Sequence, residues 1–266
     1  MRHRLVAVGI VGFWLVMMAT LVRRWLIEIR PGLTPGTYHS VLTPERRNYQ
    51  TRMGIYMPDS DSVLQRVGYT ETVFFYGDDE KHNITNVTRV RVPVSGLLQR
   101  LATFDLDTTA VIGKGYNLER LTIILDSAMA RAECRGYVID GRLVLRTRQG
   151  DEEDVRELPL PPGGMVANGL SPLLALPPLR VGLRWSSTVV SPLTLKPSKV
   201  QIEVLRRERL EWEGETWDTH VVDIRSEYMS ARAWVARDGE VLKETTLFGL
   251  TFIKERVPER TSKEAK

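Results

Sequence analysis

A chain of 266 residues with 42% hydrophobic and 26% charged side chains can bury a full core, and its composition excludes wholesale disorder. A net charge of +4 suits an anionic membrane surface but is too small to indicate nucleic acid by itself. The single cysteine, Cys134, excludes an intramolecular disulfide and a zinc site built on paired thiolates, and it reads as a small strand residue.

The chain opens with Arg2 and Arg4 and then runs without charge from Leu5 to Val22. As a helix, that run would span about 27 Å, close to the ~30 Å of a bilayer core. It shows no polar face, no good cleavage site before Arg23 and no cysteine to take a lipid. Residues 1–30 are therefore expected to form one uncleaved transmembrane helix, a single-pass anchor that meets the membrane through residues 5–22. Arginines flank both ends, so the charge rule is nearly tied. Long domains translocate largely regardless of charge, which places the C-terminal domain on the periplasmic or extracellular side of the cell membrane.

From residue 31 the pattern turns to period two. "VTRVRVPV" sets Thr88 and Val90 against Arg89 and Arg91. "RLVLRTR" opposes Leu143 and Leu145 to Val144 and Arg146, and "KVQIEV" aligns Val200, Ile202 and Val204. Asp140-Gly141 and Asp238-Gly239 are favoured two-residue hairpin turns, with further turns at Gly214 and at 59–62. No helical pattern of ten residues intervenes, so a parallel α/β sheet is disfavoured. The expectation for 31–256 is a mainly β domain: a curved antiparallel sheet, half-barrel or open barrel, of about ten to thirteen strands. Residues 257–266 read as a flexible polar tail.

Residues 158–185 depart from this rhythm, being rich in proline, glycine and leucine, with Ser171-Pro172 as a candidate helix start. Met165, Val166, Leu170, Leu173, Leu174 and Leu176 are a heavy apolar load for a connection. The segment is read as a plug on the sheet or as a lid over an apolar pocket. With Trp185 and Trp234 these residues are the candidate contacts for an apolar ligand or a partner.

The chemistry search is negative. His3, His39, His82 and His220 lie apart, and His82 in "GDDEKHN" reads as an exposed hairpin tip. No G-x-S-x-G or phosphate loop occurs, "VIGKGYN" being a strand-connecting turn. Asp151 to Asp154 read as a solvated charge run in a turn. Arg206, Arg207 and Arg209 near Trp212 are diluted by Glu203, Glu208 and Glu211, so no nucleic-acid partner is expected. Asn83 and Asn86 stand in N-x-T sequons. The expectation is no enzyme, no cofactor and no metal.

Two stretches resemble poorly characterised bacterial envelope β domains, some of which accompany transglutaminase-like domains. One is the G-I-Y strand Gly54, Ile55 and Tyr56 with Val67, Gly68 and Tyr69. The other is the hairpin Trp234, Asp238, Gly239, Val241, Leu242, Lys243, Glu244 and Gly249. "PDSDS" replaces the glycine turn usual between the first pair of strands. The meander is also similar to the half-barrels of periplasmic lipoprotein carriers, which implies an apolar cavity; on a sheet curved by its hairpins, Trp234 is expected on the concave face. Two functions follow: a structural or assembly component that contacts envelope proteins, or a carrier-like module that holds a lipid or other apolar ligand beneath 158–185.

Overall fold

The computed structural model describes residues 38, 42, 48–59, 61–77, 79–91, 103–127, 131–160, 164–166, 176, 179–191, 194–227, 230–246 and 249–257. The chain divides into two compact units, 1–35 and 36–266, and every described residue belongs to the second. The expected membrane helix and polar tail lie outside the described residues. Among the described residues no helix is long and apolar enough to cross a membrane.

The second unit is mainly β. Its strands are β1 (Tyr49–Pro58), β2 (Leu64–Tyr76), β3 (His82–Arg91), β4 (Thr103–Ile112), β5 (Leu118–Ser127), β6 (Arg131–Ile139), β7 (Arg142–Gln149), β8 (Glu152–Pro159), β9 (Met165–Val166), β10 (Arg184–Val190), β11 (Pro197–Trp212), β12 (Glu215–Arg225), β13 (Ser230–Val235), β14 (Val241–Thr246) and β15 (Thr251–Glu255). Among the described residues all fifteen strands join one sheet, in the order β8 to β1, then β15 back to β9. The count exceeds the expected thirteen. One addition is β8, whose charge run reads as a turn in the sequence, and another is the two-residue β9 inside the leucine-rich segment. Neighbours pair antiparallel except β9 and β10, which run parallel through Met165–Val189 and Val166–Val190.

Chain geometry requires the sheet to curl. Laid flat, fourteen inter-strand steps of about 4.8 Å would separate β8 from β9 by about 67 Å. Yet Pro159, ending β8, and Met165, starting β9, are six residues apart, a reach of at most about 22 Å. The two edges must therefore approach one another, and the sheet forms an open barrel. Register shifts in the β1–β2, β4–β5, β11–β12 and β13–β14 pairs supply local bends.

The period-two pattern decides which face is inside. Leu143 and Leu145, Ile84 and Leu106, Leu121 and Ile123 point inward with Cys134 in one cluster. Val200, Ile202, Val204, Val222 and Ile224 form a second with Ala233 and Val235, and Met53, Ile55, Val67, Val90 and Phe252 a third. Trp234 stands between Ala233 and Val235, so it lies on the outer face and not on the concave one. In that strand the small apolar residues, not the tryptophan, set the phase.

Among the described residues, five hairpins repeat one turn. In Asp59–Val63, Gly77–Lys81, Gly113–Asn117, Ala236–Glu240 and Thr246–Leu250, the first N–H bonds the fifth carbonyl and the fourth N–H bonds the first. The fourth residue has positive φ each time: Ser62, Glu80, Tyr116, Gly239 and Gly249. Asp238-Gly239 is thus not a two-residue turn, because only the glycine is left-handed. Asp140-Gly141 and Glu213-Gly214 are, with both residues at positive φ.

Candidate functional site

Among the described residues, the expected site residues divide between two inner clusters and the outer face. Met165 and Val166 are buried in the first cluster, beside Val190 and Tyr38. Leu176 is buried in the second cluster, its N–H donating to the Gly239 carbonyl at 3.3 Å, and Trp185 packs against that cluster. Trp234 is outside. Leu170, Leu173 and Leu174 lie outside the described residues.

The inside of the barrel is occupied by the chain itself near β9. Tyr38, 0% exposed, packs with Leu42 among side chains of β2 to β7 and of β9 and β10. Its hydroxyl accepts the Val166 N–H at 2.9 Å, and burial raises the phenol pKa well above its usual value. Next to this apolar region runs a polar ladder on β2 and β3. Asn86 Nδ2 donates to Thr70 Oγ1 at 2.8 Å and to Thr72 Oγ1 at 3.0 Å, while Thr88 Oγ1 donates to Asn86 Oδ1 at 3.0 Å. The Asn86 sequon is therefore sealed inside the sheet. Thr108, in register with Asn86, has a buried hydroxyl without a hydrogen-bond partner.

Buried titratable groups also stand on the inner face. Glu244, 0% exposed, stands in register with Ala233 and Phe252. His220, 6% exposed, faces Val235, and neither of its ring nitrogens has a hydrogen-bond partner. Burial first, then Arg207 and Arg237, lower its pKa. His82 is buried too, 4.7 Å from the Tyr76 ring and 5.7 Å from that of Tyr116, not exposed at a tip. Among the described residues no group of three or more His, Cys, Asp or Glu is placed to hold a metal ion.

The outer face carries charge in balanced pairs. Arg66 bonds both oxygens of Glu255, at 2.8 and 3.0 Å, and holds that carboxyl below the usual range. Arg91, 2.6 Å from Asp105, lowers the pKa of that carboxyl in the same way. Arg89 pairs with Asp107, and Arg52 sits 4.2 Å over the Tyr69 ring. Arg66, Tyr69, Arg89, Arg91 and Asp105 border an open groove of about 510 Å³ beside Gly68. Since each of these arginines faces a carboxylate, the groove is a cross-strand ion-pair ladder without a net field for an anion.

Beyond β13 the β11–β12 pair continues alone as a ribbon, from Glu208–Thr219 to Trp212–Glu215. It is tied back by Trp212 Nε1 to the Lys254 carbonyl at 2.8 Å, by Trp234 Nε1 to Glu208 Oε1 at 2.9 Å and by Arg256 to Glu213. Trp212 meets Trp217 edge-on at 5.7 Å.

The opposite edge is open. Every residue of β8 except Leu158 is exposed, and its sheet partner is β7. Val155 of this strand is 54% exposed on the outer face, and two strands in, on β6, so are Ile139 at 53% and Tyr137 at 38%, the last in register with Val144. Sequence reasoning missed this edge, although eight residues between the Gly150 turn and Pro159, with Val155 and Leu158 among the charges, are a strand's length.

No family model matches the sequence, and no curated protein matches it significantly. Among solved structures, the chain is similar to a β-barrel-like protein of domain of unknown function DUF1849 from Brucella abortus. That likeness has a TM-score of 0.46 and 10% identity, covering 79% of this chain and 96% of the other.

Proposed function

We propose that this chain is a membrane-anchored, non-enzymatic envelope β protein that serves as a structural or assembly component and works through its outer surface. One observation carries the reading: Tyr38 and Leu42 are buried among the inward side chains of both halves of the sheet, with Tyr38 bonded to β9. The chain's own groups thus fill space that an apolar ligand would need, and Met165 and Val166 belong to a strand instead of a loose lid. The uncharged run 5–22 and the G-I-Y and W-x-x-x-D-G-x-V-L-K-E resemblance to envelope domains support the location. The exposed apolar side chains Tyr137, Ile139 and Val155 on the outer face support contact with protein.

The test is photo-crosslinking in cells, with a photoreactive residue at Ile139 or Val155 on the outside and at Val138 on the inside. Protein adducts at the outer positions alone are expected. Lipid adducts at Val138 would overturn the reading in favour of a carrier with 158–185 as its lid.

A further inference from the structure

We infer that β8 is a self-association edge, pairing antiparallel with β8 of a second copy of this chain; this rests on the assembly reading and names the partner. The backbone gives the register. Leu160 N–H donates to the Gly141 carbonyl at 3.1 Å, extending the β7–β8 register in which Arg142 faces Pro159. Hydrogen-bonded pairs recur at every second residue of an antiparallel ladder. Leu158, Arg156, Asp154 and Glu152 therefore bond β7, while Glu153, Val155 and Glu157 turn their N–H and C=O groups outward. A two-fold axis at Val155 engages all three, setting Val155 against its counterpart and Glu153 against Glu157 of the other copy.

The side chains fit the same axis. Asp154 then faces Arg156 of the other copy, and Arg156 faces Asp154. Both are non-hydrogen-bonded pairs, where opposed side chains come closest. The opposed Glu153 and Glu157 carry their own cations, Arg146 at 3.0 Å from Glu153 and Arg142 at 3.0 Å from Glu157. On the outer face, Val155 of one copy meets Val155 of the other. Pro159, which has no N–H, ends the pairing surface at one side.

The full chain, released in mild detergent, tests this. Val155→Cys, with the buried Cys134 left in place, should form an intermolecular disulfide on mild oxidation, because opposed Cα atoms about 5.5 Å apart suit that bond. Glu153→Cys should not, since position 153 faces 157. Val155→Pro removes an outward N–H that β7 does not use, so it should keep the fold and weaken dimerisation roughly tenfold or more. A dimer mass for the native chain with these three results supports the proposal. A monomeric native chain, with no intermolecular disulfide in the Val155→Cys variant, overturns it. Capture of a different envelope protein by the new thiol of that variant also overturns it, while leaving the assembly reading intact. Lipid adducts at Val138 would instead remove that reading.

Discussion

The Val166 N–H donates to the Tyr38 hydroxyl at 2.9 Å, joining residues 128 positions apart inside the barrel. This contact ties the segment that enters the domain to the short strand at the far edge of the sheet. It couples the filling of the interior to the placement of that edge.

Tyr38→Phe should destabilise the domain by about 1–3 kcal/mol, because the buried Val166 N–H is left without an acceptor. Tyr38→Ala should cost more, about 3–5 kcal/mol, from the cavity it opens. Urea unfolding followed by tryptophan fluorescence would rank the two, and a smaller effect for Ala than for Phe would contradict the packing described.

His220 makes stability depend on pH. Its pKa is lowered in the folded state, whereas the unfolded chain titrates near 6.5. As pH falls below 6.5 the unfolded state takes up the proton first, so stability declines until the folded value is reached. Urea midpoints at pH 7.5 and 5.0 should differ more for the native chain than for His220→Leu. Equal differences would show that another group governs this range.

Glycines in two different settings should respond differently to alanine. A Cβ on Gly68 would stand 2.1 Å from the Arg89 carbonyl oxygen, against backbone that cannot swing away. Gly68→Ala should therefore cost well over ~2 kcal/mol. At Gly141 nothing lies within 4 Å of an added Cβ, and only the φ of +74° opposes it, so the loss should be nearer ~1 kcal/mol. Thermal unfolding of both variants provides the comparison.

The Arg66–Glu255 pair offers an electrostatic test. Glu255→Gln should cost about 1 kcal/mol, more at low salt, since the pair is bidentate but partly exposed. Because Glu255 titrates below its usual range when folded, its contribution is present above about pH 4.3 and lost as pH falls through the folded value. Urea midpoints of the variant should therefore fall less steeply in acid than those of the native chain.

Local features were legible in the sequence and non-local ones were not. Alternation at Leu143 and Leu145, or at Val200, Ile202 and Val204, fixes strand and face within a few residues. Asp140-Gly141 and Glu213-Gly214 announce their turns by the need for positive φ. Trp234 misleads because its size suggests core, while Ala233 and Val235 set the phase. His82 resembles a loop residue because its neighbours are charged, yet the strand begins at that residue and buries it. The β1–β15 pairing, the Tyr38–Val166 bond and the β8 edge depend on how distant segments meet, which no local pattern encodes.

Whether the barrel is filled by its own chain can be decided by native mass spectrometry of the full chain released in mild detergent, before and after organic extraction. The chain should appear free of lipid-sized ligand once detergent is stripped, and extraction should change nothing. A lipid-sized mass that survives stripping and disappears on extraction would mean that the barrel interior is a ligand site and not a filled core.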